Sequence, residues 1–315
     1  MRDAFIQALG NLAEHDERIM LVTGDLGFRV FDDYIEQHPK QFLNAGIAEQ
    51  SMAGLATGLA REGYIVFMYS IANFTFMRCL EQLRNGAAYH DCNVNVVSVG
   101  GGFSYGQLGM SHHATEDLAI MRCMPTSMVC CPAERWEVGV LTNAIANSTG
   151  LTYLRLDKSC SPSTQTDGLS LLPIGKSRVL RTGTDVSLVA TGGIVGEVMQ
   201  ATEQLAFDGI SAEVISVPYI KPFDPDVVEN SANKTGRIVT VEEHSIHGGL
   251  GSVIAETLGE RGRMPKVFRR IGLREKFSSV VGDQQFLRQT FGLSADSIVA
   301  VVRHELCGNQ TAAAA

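Results

Sequence analysis

The sequence predicts an α/β protein made of two consecutive units, each a parallel β-sheet covered by helices on both faces. Three observations carry this. Short Val-rich runs such as Val94–Val99 and Val186–Ala190 fit strands buried on both faces. Segments of helical period alternate with those runs, which implies parallel pairing. The rhythm also occurs twice, interrupted at 159–174 by SCSPSTQTDGLSLLPI, rich in Ser, Thr and Pro and without period. A chain of 315 residues is long enough for two domains.

In chain order, 3–15 has helical spacing at Ala4, Phe5, Ala8, Leu9 and Leu12, and Ile19–Thr23 is a short strand running into Gly24-Asp25. Ile47–Arg61 is predicted as an Ala- and Gly-rich helix closed by Gly63. Gly54 and Gly58 lie one turn apart on it and leave room for another backbone. Tyr64–Met68 follows as a strand and Phe74–Ala88 as a helix. After Val94–Val99 comes the glycine-rich loop GGGFSYGQLGMSHH (100–113). Thr115–Met124 is helical, Ser127–Cys131 a strand, Glu134–Ser148 a helix and Thr152–Leu156 a strand. The first domain is therefore expected over 1–160 and a linker over 161–178.

The second domain, expected over 179–310, repeats the pattern. Strands are predicted at Val186–Ala190, Ala212–Val217, Arg237–Glu242 and Lys266–Ile271, with helices at Val195–Phe207, Asp224–Ser231 and Leu250–Glu260. The final TAAAA, 311–315, is a tail without packing logic.

Composition narrows the function. The net charge of −8 argues against nucleic acid or an anionic membrane as partner. No run is long enough to span a bilayer, and Met1-Arg2-Asp3-Ala4 leads into no apolar signal region. The seven cysteines (79, 92, 123, 130, 131, 160, 307) include no CxxC pair and fit free thiols in a reducing cytoplasm.

Among single residues, Glu49 stands out. Its neighbours Ala45, Gly46, Ile47, Ala48, Met52, Ala53 and Leu55 are apolar or small. A carboxyl in such a place is costly to ionise and suits proton transfer to a bound ligand. The competing account is a helix N-terminal Glu favoured by the macrodipole. His112 and His113 lie in a glycine-rich loop beyond the carboxyl end of a strand, where parallel sheets bind ligands. Phe74 and Phe76 are either core or a stacking surface for a flat heterocycle. ATGGIVGE (190–197) does not spell GxGxxG, so a tight strand-to-helix turn explains it better than dinucleotide binding. HSIHGGLG (244–251) lacks an assembled ligand set, so no metal site is expected in this chain.

Taken together, the motifs are more specific than their parts. Gly24-Asp25-Leu26, N-x-GIAEQ, F-x-x-x-R-x-x-EQ-x-RN and G-x-S-Y-G-x-x-G-x-S-H-H-x-x-ED succeed one another in order. GGIVGE, VPYIKPFD (217–224) and VEEHSIHGGLGS (241–252) follow. This succession resembles the thiamine diphosphate (ThDP) enzymes of the transketolase family over essentially the whole chain. The GDG motif of the family's diphosphate-binding domain does not occur. The chain thus resembles the C-terminal subunit of a split transketolase, with a pyrimidine-binding domain and a transketolase C-terminal domain. The resemblance implies a separate partner chain that holds the diphosphate through Mg²⁺, and an α2β2 heterotetramer containing a dimer of this chain. The small-residue helix at 47–61 is expected to pack closely across the two-fold.

The resemblance also assigns roles. Glu49 matches the glutamate that hydrogen-bonds N1′ of the ThDP aminopyrimidine and so activates the cofactor, which then carries a two-carbon ketol unit from a ketose to an acceptor. Phe74, with Phe76 as second choice, matches the aromatic stacked on the pyrimidine. Asp25 and Leu26 match a turn that approaches the cofactor, and His112 a histidine that contacts substrate. Arg2 matches one phosphate-binding arginine, Lys158 stands in place of another, and Arg29 replaces a serine companion. A family histidine and an acceptor-reading aspartate are replaced by Gly100 and Leu108. Loss of a hydroxyl-reading acid changes specificity. The acceptor is accordingly expected to differ from ordinary phosphorylated aldoses and to be larger or less hydroxylated, such as a modified or nucleotide-linked sugar. Two other readings share the plan: the β chain of a 2-oxo acid dehydrogenase E1, and a non-catalytic regulatory subunit.

Overall fold

The computed structural model describes residues 1–27, 29–164 and 172–307. Residues 165–171 of the expected linker and the expected tail at 311–315 lie outside them.

Twelve strands form two sheets. They are β1 (Ile19–Thr23), β2 (Phe42–Asn44), β3 (Ile65–Ile71), β4 (Val94–Val99), β5 (Met128–Cys130), β6 (Leu151–Leu156), β7 (Arg178–Arg181), β8 (Val186–Ala190), β9 (Ala212–Ser216), β10 (Tyr219–Lys221), β11 (Arg237–Ser245) and β12 (Val267–Leu273). The first sheet has the order β10-β5-β6-β4-β3-β1-β2 and the second β12-β11-β8-β9-β7. Pairing is parallel except for β10 on β5 and β7 on β9, one antiparallel edge on each sheet. The expected α/β class is what the structure shows. Every residue of β1, β4, β6, β8 and β9 is buried, because helices cover both faces.

Strand β10 ties the units together. It belongs by sequence to the second unit, yet it extends the first sheet, with Tyr219 opposite Cys130. The Lys221 amine donates to the Arg122 carbonyl at 3.1 Å beside it. One apolar cluster runs through both units, containing Met68 and Val96 of the first and Val189 and Leu250 of the second. Two buried arginines strengthen the junction. Arg155, on β6, lies between Asp117 (3.4 Å) and Asp157 (3.2 Å) and donates to the Glu243 carbonyl at 2.9 Å. Arg288 pairs with the Glu243 carboxylate and donates to Ser159 Oγ at 2.9 Å. Buried charges of this kind persist only when paired and hydrogen-bonded.

Several local expectations need correction. The helix predicted from residue 47 begins at Glu49, because Gly46 (φ +73°) and Ala48 turn the chain first. The single helix predicted at Phe74–Ala88 is broken into Ala72–Phe76, Leu80–Gln82 and wider π-type turns at Leu83–Ala88. Cys79 causes the first break by leaving helical dihedrals (φ −130°). Strands β2, β7 and β10 and the helices Gln284–Thr290 and Ala295–Cys307 were not expected from the sequence. No helix among the described residues is long and apolar enough to cross a membrane.

Candidate active site

All strands of the first sheet except β10 run the same way, so the loops after β1, β2, β3, β4 and β6 open at one edge. This is the edge where parallel sheets bind ligands. It gathers Asp25 and Leu26, Glu49, Phe74, the 100–113 loop and Lys158.

Glu49 is the first residue of the helix Glu49–Arg61 and is only 6% exposed. The helix N-terminus favours its negative charge. The purely apolar setting suggested by the sequence is incomplete, because Arg78 Nη1 donates to Glu49 Oε1 at 2.7 Å. The same guanidinium lies over the Phe74 ring, 3.7 Å from its centroid. Phe74 in turn meets the His112 ring edge-on at 5.3 Å. Carboxylate, guanidinium, aromatic ring and imidazole thus form one continuous cluster.

The structure separates the paired candidates. Phe76 is fully buried in the apolar core, so its proposed cofactor contact is not available; Phe74 keeps an accessible face. His113 is buried, with Nδ1 2.6 Å from Ser278 Oγ and Nε2 3.1 Å from the Gly106 carbonyl, so it fastens the loop. His112 is the half-open partner, with Nδ1 3.0 Å from Ser111 Oγ. Burial, then the charges of Arg78 and His113, hold the His112 imidazolium below the ordinary histidine pKa, so the ring is neutral at pH 7.

Asp25 adopts φ +57°, stabilised by Asn44. Asn44 Nδ2 donates to Asp25 Oδ1 at 3.0 Å, while its Oδ1 accepts from the N–H groups of Asp25 (3.0 Å) and Gly46 (2.9 Å). Leu26 is half-buried on the same turn, and Arg29 (φ +62°) is exposed just beyond it.

At Gly100 the sequence departs from the family pattern, and the structure supplies the reason. Gly100 has φ +91°, and a Cβ there would meet Tyr105 Cε2 at 2.1 Å. The Tyr105 ring therefore fills the space that a side chain at position 100 would need. Lys158 Nζ lies 4.0 Å from the centroid of that ring. Burial, then the charge of Arg2, lower the Lys158 pKa, which marks Arg2 as an electrostatic neighbour although it pairs with Asp3 at 3.1 Å. Tyr105, Leu108, Lys158 and Gln284 line a cleft of about 480 Å³. Among the described residues no cluster of three or more His, Cys, Asp or Glu side chains has metal-binding geometry. Arg78, Tyr105 and Asn44 carried no role in the sequence reading. Arg78 and Asn44 were visible only as letters of quoted motifs, and Tyr105 became significant once its ring was seen against Gly100.

Two αβα units, with a carboxylate and a partly open aromatic ring at the ligand-binding edge of the first, define a subunit that holds a flat heterocycle. The transketolase pyrimidine-binding domain model matches residues 1–163, and the transketolase C-terminal domain model matches 175–298. The chain belongs to the transketolase family and has the make-up of the C-terminal subunit of a split transketolase. It is 35% identical over 298 residues to one of the two chains of the apulose-4-phosphate transketolase of Phocaeicola vulgatus, covering 94% of each sequence. It is 37% identical over 308 residues to the 6-deoxy-6-sulfo-D-fructose transketolase subunit SqwH of Clostridium sp. strain MSTE9, covering 97% of this chain and 94% of that one. Among solved structures, a split-gene transketolase described as an inactive beta4 tetramer superimposes with a TM-score of 0.85 at 34% identity, covering 97% of each chain. Membership of this family implies thiamine diphosphate as cofactor.

Proposed function

We propose that this chain is the pyrimidine-holding subunit of a ThDP-dependent transferase that moves a two-carbon ketol unit from a ketose to an aldehyde or keto-sugar acceptor. A separate chain supplies the diphosphate-binding domain and its Mg²⁺. The working assembly is an α2β2 heterotetramer in the cytoplasm. The observation that carries this reading is the cluster of Glu49 and Phe74: a carboxylate 6% exposed beside an aromatic ring with an open face. That these two residues already hold a planar, N–H-bearing cation, the Arg78 guanidinium, supports their fit to an aminopyrimidine. When bound, thiamine diphosphate supplies the electron sink that allows a carbon–carbon bond beside a carbonyl to break.

The residues of this chain do the rest. Glu49 accepts a hydrogen bond from the pyrimidine ring nitrogen and holds a proton there, a role suited to a carboxylate shielded from water. Phe74 offers the ring a stacking face. His112, neutral at pH 7, donates to or accepts from a substrate hydroxyl. Asp25 and Leu26, on the turn braced by Asn44, line the cofactor's approach. Lys158 and Arg2 draw the anionic end of a sugar toward the cleft, with Arg29 at its outer edge.

Tyr105 against Gly100 and the apolar Leu108 give the cleft few hydroxyl-reading groups, which favours an acceptor that is less hydroxylated than ordinary aldose phosphates. Relatives named for apulose 4-phosphate and 6-deoxy-6-sulfofructose act on anionic, modified sugars by name, which is consistent with this reading.

The test is reconstitution with a diphosphate-binding subunit and measurement of ketol transfer. Glu49→Gln is expected to abolish turnover while leaving assembly intact. Decarboxylation of a 2-oxo acid by the pair would overturn the transferase assignment. Turnover of ribose 5-phosphate with xylulose 5-phosphate at ordinary transketolase efficiency would overturn the acceptor class. Turnover by this chain alone would overturn the division between subunits.

A further inference from the structure

Two contacts meet on one side chain. The Arg78 guanidinium donates to Glu49 Oε1 at 2.7 Å and stacks on the Phe74 ring at 3.7 Å. A guanidinium is flat, cationic and rich in N–H donors. An aminopyrimidine with a proton on its ring nitrogen presents the same features: a flat face, positive charge, and an N–H beside an exocyclic amine. One face of Phe74 and one carboxylate oxygen cannot serve both groups.

We infer that Arg78 is a placeholder, occupying the aminopyrimidine position in the cofactor-free chain and leaving when the cofactor arrives. This rests on the assignment of Glu49 and Phe74 to the pyrimidine. Arg78 meets the need of the cofactor-free chain, since a carboxylate only 6% exposed is costly to leave unpaired. It is also free to depart. Its side chain is 47% exposed, and it sits at the joint where the helix Ala72–Phe76 ends and Cys79 leaves helical dihedrals. The released guanidinium enters water, where it is readily solvated. Arg78 is thus a positioning residue: it keeps Glu49 charged and Phe74 in place, and it competes with the ligand that they await.

The test uses the full chain and the isolated fragment 4-amino-5-hydroxymethyl-2-methylpyrimidine, with affinity measured by calorimetry and by NMR titration. A site closed in most molecules lowers apparent affinity by the closed fraction. Arg78→Ala is therefore expected to bind the fragment about tenfold more tightly than wild type. Arg78→Lys, which keeps the charge but loses the planar stack, is expected to fall between them. A merely structural Arg78, or one that contacts the bound ring, predicts weaker binding in Arg78→Ala. Unchanged or weaker binding in the folded variant would overturn the placeholder role and leave the roles of Glu49 and Phe74 standing. Binding to neither folded chain would overturn those roles, and the placeholder with them.

Discussion

The carboxylate of Glu243, on β11 of the second unit, accepts the backbone N–H of Phe103 at 2.6 Å, at the root of the first unit's 100–113 loop. The same carboxylate takes Gln284 Nε2 at 2.8 Å and pairs with buried Arg288. Gly102 permits this approach, because a Cβ there would meet Glu243 Oε1 at 2.4 Å. The loop that carries Tyr105 and His112 is therefore aligned by the second unit. Removing one partner of a buried ion pair leaves the other uncompensated. Glu243→Gln is expected to lower unfolding stability by about 3 kcal/mol in urea titration. It should also reduce kcat of the reconstituted enzyme, as the loop loses its anchor.

Glu49 carries the central functional prediction. Glu49→Gln keeps the shape and removes the charge. Turnover should fall between about a hundredfold and ten-thousandfold, the span of a positioned proton-transfer group. Sedimentation should show the assembly unchanged.

Gly100 and Tyr105 are expected to behave as a coupled pair. Gly100→Ala places a Cβ both at φ +91° and 2.1 Å from Tyr105 Cε2. A destabilisation of about 2 kcal/mol or more is expected from backbone strain and overlap. In the Tyr105→Ala background the same substitution should cost less, because only the backbone component remains. A double-mutant cycle of urea melts measures the difference. Equal costs in both backgrounds would remove Tyr105 from the explanation.

Lys158 should act on binding more than on chemistry. Lys158→Met is expected to raise KM for an anionic sugar about tenfold with kcat nearly unchanged, the pattern of lost uniform binding. The penalty should shrink at high salt, where exposed charges are screened.

His112 has a definite pH signature. Its folded-state pKa lies below the ordinary 6.5, through burial first and then Arg78 and His113. As pH falls through 6.5, the unfolded chain takes up this proton before the folded chain does, so His112 lowers stability in that window and adds nothing above it. An NMR titration of the His112 C2–H should show a midpoint below 6.5. In Arg78→Ala the midpoint should rise, because one repelling cation is gone.

Much of the fold was legible because periodicity is a local signal. The strand Val186–Ala190 and the helices Val195–Phe207 and Leu250–Glu260 have the bounds that their patterns predicted. Strand β10 was not legible, since three residues have no period of their own and Tyr219–Lys221 extends only because Met128–Cys130 offers an edge. The break at Cys79 was hidden as well, because 74–88 keeps helical composition throughout.

The sequence by itself determined the two-sheet α/β architecture and brought Glu49, Phe74 and His112 to attention, because order, spacing and residue type are properties of the chain. Tertiary structure decided the rest. It chose His112 over His113 as the open imidazole and Phe74 over Phe76 as the accessible ring. It gave Glu49 a partner in Arg78, 29 residues away, and set Tyr105 in the space beside Gly100. The physical reason is common to all four. Exposure and ion pairing depend on which distant elements pack against a side chain, and no local pattern encodes that contact.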